Sequence, residues 1–535
     1  MQMAPSHTHS FDTISSYKST SRSSFSRHPA EFHTFTTSRT SAEGDDSSRR
    51  TGDSREPKDN RRPTSPRFNR PASPSQSSTK STQSLLPSKR GKAAQLGMVA
   101  AILFPPVSIF FIFMLPAILF VSITVLYSVA WYLYWRKAPN MTFSKLPLDP
   151  RRIWKLNKVL FGAIVSNITL IPVGISLVKY RYWTSRQSDA LLTDIHYNRK
   201  RPDNKMDIHA KWNSESGYTS SVLRPVVVFI YGGSWSSGSK LKYTLLGAKF
   251  RQMGYVVMIP DYTLYPKGSV NDMQEDVKMA VQWASRNCRQ YGGDPQRLYL
   301  MGHSAGAHLC ALTVLKDCLT RIPHAILGPS PVSISSSPVL STLLYEASKE
   351  RKAQKKQGGG DQEDVLPRLR GMILCAGVYD IGEHYKHESM RGVEQISAMS
   401  RAMGNSALTF GMNSPTILAQ ELLQVSTTID TRFPESQTRH QLLLRHLKAL
   451  FPAETLMIHG DEDRTVPARS SMEFWMELKA LQLGSTVKLR VVPGMSHHVP
   501  VVALMPTFIR PSPFTESLVS ELSQFIDGDH KRKKD

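Results

Sequence analysis

Cysteine and clustered metal ligands are scarce in this chain of 535 residues. Its four cysteines, at 288, 310, 318 and 375, lack the spacing of a disulfide framework, so we expect reduced thiols buried in a core. The sequence contains no Cys/His/Asp spacing typical of a metal site and no glycine-rich phosphate loop. We therefore expect a protein that holds neither a metal ion nor a cofactor.

The first 92 residues are poor in aliphatic side chains. Ser, Thr, Arg, Pro and His dominate this segment, and its apolar residues follow no helical or strand period. Such a composition cannot bury enough apolar surface to offset the loss of chain entropy. We expect residues 1–92 to form a disordered basic tail.

Positive charge is concentrated outside the C-terminal part of the chain. Of the formal net charge of +24, residues 1–92 carry +8 and residues 93–225 carry +10, which leaves +6 for the last 310 residues. This distribution argues against nucleic acid as a partner. It favours attraction of the basic segments to anionic lipid headgroups.

A long uncharged segment follows the tail. No charged residue occurs from Ala93 to Trp135, and the run ends in aromatic side chains just before Arg136-Lys137, a pattern typical of a membrane interface. It is long enough for one tilted span, and we place that span at about 103–135. A weaker run at 159–178, interrupted by an asparagine and a proline, predicts either a second span or a buried or interfacial helix.

Several features favour a cytosolic C-terminal domain. No N-x-S/T glycosylation acceptor occurs after Asn167, and the cysteines are expected to be reduced. The basic end Lys531–Lys534 resembles a dilysine retrieval signal, although a simply solvated basic end is the alternative. We expect a single-pass or multi-pass protein of the endoplasmic reticulum or Golgi membrane.

The motif Gly302-His303-Ser304-Ala305-Gly306 lies between a strand-like run at 297–301 and a helix-like run at 305–316. A G-x-S-x-G sequence in this setting predicts a nucleophile elbow, because its small residues allow the sharp turn that exposes the serine hydroxyl above the sheet.

The other parts of an acyl-transfer site follow in chain order. An apolar strand-like run at 226–230 leads into Gly232-Gly233, whose N–H groups, together with that of Ala305, can stabilise a developing oxyanion. Two later strand-like runs end near Asp463 and His497. The resulting order Ser…Asp…His is that of the α/β hydrolases.

These motifs resemble the hormone-sensitive-lipase-like esterase branch of the α/β hydrolases, and within it the isoprenylcysteine α-carboxyl methylesterases. The resemblance covers roughly residues 220–320 and 370–505. Its matching segments are Val226–Trp235, Asp261–Pro266, Tyr291–Pro295, Leu300–His308, Ser414-Pro415, His459–Pro467 and Gly494–His497. It implies an α/β-hydrolase fold, a mostly parallel eight-stranded sheet flanked by helices, without a cofactor.

The resemblance also implies roles for individual residues. Ser304 would be the nucleophile, His497 the base and Asp463 the acid. His497 is preferred to His498 because the family places its histidine after a small residue. Asp463 is preferred to its neighbours Asp461 and Glu462 because the family places the acid three residues before a Val/Ile-Pro pair.

Other polar or aromatic residues near these motifs have structural interpretations. His459 and His308 are expected to bond or pack within the structure, and Asp261 and Asp294 to fix loops. Trp235 is expected either to line the substrate site or to belong to the core.

The resemblance leaves the substrate open. It implies demethylation of isoprenylcysteine α-carboxyl methyl esters, with prenylated protein C-termini and membrane lipids as partners. A lipase-like or steryl-ester hydrolase is the alternative, and a non-catalytic binding protein of the same fold is a second one. Two positions depart from the pattern of these families. Tyr231 stands where lipase-type relatives commonly have His, and His303 stands where we expect Gln in the methylesterases.

Alternating strand-like and helix-like runs predict one C-terminal domain at about 185–530. We expect antiparallel strands within 192–212, a flexible insertion at 322–365 and a lid within 381–452. The predicted strands lie at 226–230, 255–260, 297–301, 371–375, 455–458 and 487–492, and the predicted helices at 271–289, 305–316, 468–482 and 514–526.

Overall fold

The computed structural model describes residues 89–138, 142–168, 170–184, 191–198, 201–211, 222–323, 337–356, 365–428, 434–483, 486–507 and 511–532. Nearly all of the predicted disordered tail and the last three residues of the basic C-terminus lie outside these ranges. The chain divides into a unit that ends at Pro116 and a unit, Ala117–Asp535, that contains the sheet.

Eight strands form one sheet in the order β1-β2-β4-β3-β5-β6-β7-β8. Strands β1 and β2 pair antiparallel with their neighbours and the other pairs are parallel. The predicted mostly parallel eight-stranded sheet is therefore confirmed. The strands are β1 Leu191–His196, β2 Lys205–His209, β3 Arg224–Ile230, β4 Val256–Pro260, β5 Gly293–His303, β6 Gly371–Cys375, β7 Glu454–Gly460 and β8 Thr486–Val492.

Helices cover the sheet and form the segments beside it. They are α1 Lys89–Lys137, α2 Pro150–Ile168, α3 Ile171–Lys179, α4 Thr244–Gln252, α5 Val270–Asn287, α6 Ala305–Thr320, α7 Pro338–Lys356, α8 Ile381–Arg391, α9 Met399–Ala402, α10 Ala407–Met412, α11 Pro415–Thr428, α12 Pro434–Leu450, α13 Arg469–Ala480, α14 Val499–Val502 and α15 Thr515–Arg532. Short 3₁₀ or π turns occur at Phe143–Lys145, Tyr180–Thr184, Lys240–Tyr243 and Cys288–Tyr291.

The central strands are continuous apolar runs because helices bury both faces of a parallel sheet. Every residue of β4 and β6 is buried, as are Val226–Ile230 of β3. This burial explains why all six predicted parallel strands are found, with ends shifted by a few residues. All four predicted helices of the domain are found as well.

The insertion at 322–365 differs from the expected flexible excursion, because its described part contains the 19-residue helix α7. Val339, Leu340 and Leu343 on the first turns of this helix are buried against the main core. The long polar stretch after these residues hid the short apolar face from composition alone. The predicted lid region, 381–452, contains α8 to α12.

Within the described residues, one helical stretch is long and apolar enough to cross a membrane, Ile109–Lys137 of α1. The weaker run at 159–178 falls on α2 and α3, which are bent by 41° at their junction and meet the same criterion only as a pair. These findings rest on length and composition alone.

The helix that follows the nucleophile turn packs unusually close to the sheet. A Cβ atom on Gly306 would lie 2.1 Å from the carbonyl oxygen of Ile230 at the end of β3. Only glycine permits this approach of α6 to β3, so the motif's last glycine is required by packing as well as by the turn.

We therefore predict that Gly306→Ala lowers the free energy of unfolding by about 1–3 kcal/mol, the usual cost of forcing extra atoms into a packed core. The matched control is Gly528→Ala on α15, where a Cβ would meet nothing within 4 Å. Denaturant unfolding of the detergent-solubilised protein measures both. Equal stability of Gly306→Ala and the parent protein would contradict the close approach.

Candidate active site

Ser304 lies at the turn between β5 and α6, above the carboxyl edge of the sheet. Its φ of 53° and ψ of −121° fall outside the regions that L-residues favour. Its N–H donates to the carbonyl oxygen of Cys375, the last residue of β6, at 2.9 Å. This strained turn places the hydroxyl clear of the sheet, as a nucleophile elbow requires.

The other two predicted side chains of the triad meet Ser304 at the same edge. His497 follows β8 and Asp463 follows β7, so parallel strands bring both loops together. His497 Nε2 lies 2.9 Å from Ser304 Oγ, and His497 Nδ1 donates to Asp463 Oδ2 at 2.6 Å. Both His497 and Asp463 are buried. In this arrangement the imidazole can accept the serine proton while the carboxylate fixes its tautomer.

The carboxylate of Asp463 is held by three further donors besides His497. Its Oδ1 accepts from the N–H groups of Thr465 and Val466 at 2.8 and 2.9 Å, and its Oδ2 accepts from His459 Nε2 at 3.2 Å. Burial by itself would raise the pKa of Asp463. The hydrogen bonds from His459 and His497 outweigh burial and hold this pKa well below its usual range.

His459 contributes more than the sequence indicated. Besides Asp463, its Nε2 contacts the carbonyl oxygen of Val466 at 2.9 Å, while Ser471 Oγ bonds to its Nδ1 at 2.7 Å. The histidine therefore joins the acid loop to helix α13. The sequence signal for this contact was the position of His459 at the end of a strand, four residues before Asp463.

The predicted oxyanion residues adjoin the nucleophile. A Cβ on Gly232 would lie 2.7 Å from the Cβ of Ser304, so only a glycine fits at that position. Gly233 has a φ of +144°, and the carbonyl of Gly233 caps the following turn by accepting from Ser237 N at 3.0 Å. Ala305 provides the first N–H of α6. The loop and the helix start thus flank the space next to Ser304 Oγ.

His303, which precedes the nucleophile, supports the base. Its Nε2 donates to the carbonyl oxygen of His497 at 2.9 Å, and the two rings lie 5.1 Å apart. Burial, with a smaller effect of the neighbouring His497, lowers the pKa of His303 to about 3, so the ring is neutral. His303 thus ties the start of the turn at Ser304 to the loop of His497.

Trp235 belongs to the core, one of the two alternatives left open by the sequence. Its Nε1 donates to His308 Nδ1 at 3.1 Å, and His308 Nε2 donates to the carbonyl oxygen of Asn413 at 2.8 Å. Burial lowers the pKa of His308 to about 4. This neutral relay connects the oxyanion loop, the nucleophile helix and the lid region.

The remaining residues singled out in the sequence stabilise loops. Asp261 accepts from Tyr231 and from the Lys240 N–H, and Asp294 accepts from the Gln296 N–H. Asp461 accepts from the Gly494 N–H at 2.7 Å and so ties the loop of the acid to the loop of the base.

Two neighbours of the triad are exposed. They are Glu462 and His498, and the His498 ring lies 5.2 Å from that of His497.

The lid region contacts the acid loop directly. Arg391 at the end of α8 donates to the carbonyl oxygen of Thr465 at 3.3 Å, and His387 contacts that of Arg464, also at 3.3 Å. The sequence carried no signal for these contacts, because they join segments more than 70 residues apart.

No group of three or more His, Cys, Asp or Glu side chains that could hold a metal ion occurs among the described residues. All four cysteines are buried and unpaired, as predicted.

Comparisons with known proteins agree with the motifs. A family model described as BD-FAE matches residues 206–330. A probable isoprenylcysteine alpha-carbonyl methylesterase from Arabidopsis thaliana is 36% identical over 63% of this chain and 63% of its own length. A second Arabidopsis thaliana protein, an isoprenylcysteine alpha-carbonyl methylesterase, is 34% identical over 63% of this chain and 62% of its own length.

Solved structures are more distant. Esterase B from Lactobacillus rhamnosis aligns with a TM-score of 0.44 and 17% identity, covering 72% of this chain and 97% of that protein.

The chain spans slightly less than two thirds of the length of the two methylesterases. Their similarity to this chain confirms the resemblance inferred from the motifs, and the sheet topology fits the α/β-hydrolase fold. The chain thus has a sheet of the α/β-hydrolase type and is similar in sequence to the isoprenylcysteine methylesterases.

Proposed function

We propose that the chain is a membrane-bound serine hydrolase of carboxylic esters. Ser304 is the nucleophile, His497 the general base and Asp463 the acid that orients it. The observation that supports these roles most directly is the position of the His497 ring, 2.9 Å from Ser304 Oγ and 2.6 Å from Asp463 Oδ2. A base bonded on both sides in this way matches the geometry that acyl transfer needs.

The reaction proceeds in two halves. Ser304 Oγ attacks the ester carbonyl carbon while His497 Nε2 takes the hydroxyl proton, and the N–H groups of Gly232, Gly233 and Ala305 stabilise the oxyanion. The imidazolium then gives its proton to the leaving alcohol, which leaves an acyl-enzyme. Water attacks the acyl-enzyme with His497 again as base, so that the acid product is released and Ser304 is restored.

The substrate we propose is the α-carboxyl methyl ester of a prenylated cysteine, free or at a protein C-terminus. The names of the two Arabidopsis thaliana relatives support this choice. Methanol is the leaving alcohol and the prenylcysteine carboxylate is the product. The new negative charge weakens the attraction of the prenylated end for an anionic membrane surface, so the reaction would regulate membrane attachment.

Membrane anchoring by α1 fits this substrate. The side chains at Ile109–Val125 are exposed to the surroundings of the protein, and most are large and apolar. At 1.5 Å per residue, a stretch of about 20 residues crosses the hydrocarbon core. A hydrolase held at the endoplasmic reticulum or Golgi membrane with its catalytic domain in the cytosol would meet prenyl esters at headgroup level.

Replacement of the nucleophile should abolish activity while the fold is retained. We expect Ser304→Ala to lower kcat by a factor on the order of 10⁴–10⁶ on any ester that the parent hydrolyses. Ser348→Ala, a serine on α7 away from the site, is the matched control and should keep the parental rate. Activity of the Ser304 variant within about tenfold of the parent would contradict the assignment. No activity in the parent protein would favour a non-catalytic binding protein.

Substrate choice is tested by kcat/KM for farnesylcysteine methyl ester against a medium-chain acyl ester and a steryl acetate. We expect the prenylcysteine ester to be preferred, because its leaving group is small and its prenyl chain partitions into the bilayer. Preference for either competitor by about two orders of magnitude would leave only the serine-hydrolase mechanism and favour the lipase-like or steryl-ester alternative.

Membrane attachment is tested by extraction of cell membranes. We expect the full chain to stay in the pellet in high salt and in alkaline carbonate and to be released by detergent, because a spanning helix is held by apolar burial that salt does not screen. Release by carbonate would show that α1 does not span the bilayer.

A further inference from the structure

The segment from Pro150 to Tyr182, made of α2, α3 and the turn after them, has an unusual charge pattern. It contains no Asp or Glu. Its six Lys and Arg residues lie only near its two ends, at positions 151, 152, 155, 158, 179 and 181, and the 20 residues from 159 to 178 are uncharged. We call this segment the bent helix pair.

The first end of the bent helix pair is fixed to the lid region. The guanidinium of Arg152 forms an ion pair with Glu394, in the loop between α8 and α9. Ile153 and Leu156 are buried in a small apolar cluster that Val393 and Ile396 of the same loop also contact. These contacts place the start of α2 on the C-terminal domain.

The second end is fixed to the same domain. Val173, Leu177 and Tyr180 pack against the main core that surrounds the sheet. Arg181 lies 3.9 Å from the carboxylate of Asp207, a buried residue of β2. Both ends of the pair are thus held by one folded domain.

This double attachment conflicts with a second membrane span. If the pair crossed the bilayer, its two ends would lie on opposite faces of the membrane, and the single domain to which both are bound would have to lie on both faces. The pair therefore begins and ends on the same side.

The exposed surface of the pair is nevertheless mostly apolar, and all residues from 161 to 168 are exposed. Trp154 is 64% exposed, Phe161 69% and Val178 70%. Ile164, Val165, Ile168, Ile171 and Ile175 are also exposed. A continuous apolar surface of this kind is rare on a protein in water and marks a site of contact with a partner or a membrane.

A lipid surface matches this pattern better than a protein partner. An uncharged apolar middle suits the boundary between headgroups and acyl chains. Arg152 and Arg181 contact acids of the domain, but the other basic side chains at the two ends are exposed and suit anionic headgroups; they are Arg151, Lys155, Lys158 and Lys179. The pair is also bound to α1, the proposed anchor, because Asn157 Nδ2 donates to the carbonyl oxygen of Leu126 on α1 at 3.0 Å.

We propose that the bent helix pair lies on the membrane surface, on the same face as the C-terminal domain, and binds anionic lipid without crossing the bilayer. The domain is then attached to the membrane at two places, the end of α1 and the bent helix pair. The proposal rests on the membrane attachment proposed above. The experiments below distinguish a failure of that attachment from a failure of the position proposed for the bent helix pair.

Side-specific labelling tests the topology in the full chain. Single cysteines are introduced at Thr142, before the pair, or at Lys267 of the C-terminal domain, whose side chain is 75% exposed. The four native cysteines are buried and give little background. In sealed vesicles with a membrane-impermeant maleimide, Thr142→Cys and Lys267→Cys should be labelled to equal extents, whichever way the protein is oriented. Labelling of one and protection of the other would overturn the proposal.

Lipid contact is tested with a fluorophore on Ile168→Cys, in the middle of the pair, in vesicles that contain anionic lipid brominated at defined depths. We expect strongest quenching by bromines near the headgroup, and none for the Lys267→Cys control. Strongest quenching at the bilayer centre would indicate a span, and no quenching would indicate a protein partner; either result overturns the proposal. Release of the full chain by carbonate would contradict the membrane span proposed for α1. The labelling and quenching results would still decide separately where the bent helix pair lies.

Discussion

The backbone turn at Ser304 is the constraint on which the rest of the site depends. Its positive φ is unfavourable for a residue with a side chain, so surrounding contacts must hold it. The Ser304 N–H bonds to the end of β6, and Gly306 lets α6 press against the end of β3. Because parallel strands present their carboxyl ends at one edge, the same turn faces the loops after β7 and β8 that carry Asp463 and His497.

Around this turn, supporting histidines connect the loops to one another. His303 bonds to the loop of His497, His459 bonds to Asp463, and His308 connects Trp235 to Asn413. Burial keeps His303 and His308 neutral, so their hydrogen bonds are insensitive to pH in the physiological range. The region predicted to be a lid contacts both the loop of Asp463, through Arg391, and the bent helix pair, through Glu394. The site is thereby linked by contacts to the bent helix pair.

Sequence motifs predicted the elements of the sheet and the residues around the nucleophile because local patterns encode both. Buried parallel strands are continuous apolar runs, and an elbow needs small residues at fixed positions around Ser304. Contacts between distant segments leave no such pattern, which is why the bond of Arg391 to the acid loop was not predicted. Helix α7 was missed because its apolar residues occupy only the first turns. The attachment of the first end of the bent helix pair was missed because Glu394 lies more than 200 positions after Arg152.

Covalent trapping tests the central claim, that Ser304 is the nucleophile of an acyl-transfer site. The full chain in detergent is treated with a fluorophosphonate, digested and analysed by mass spectrometry. The account predicts one adduct, on the peptide that contains Ser304, and its loss when His497 is replaced by alanine, because the hydroxyl then has no base. An adduct on another serine, or no adduct with an active enzyme, would contradict the account.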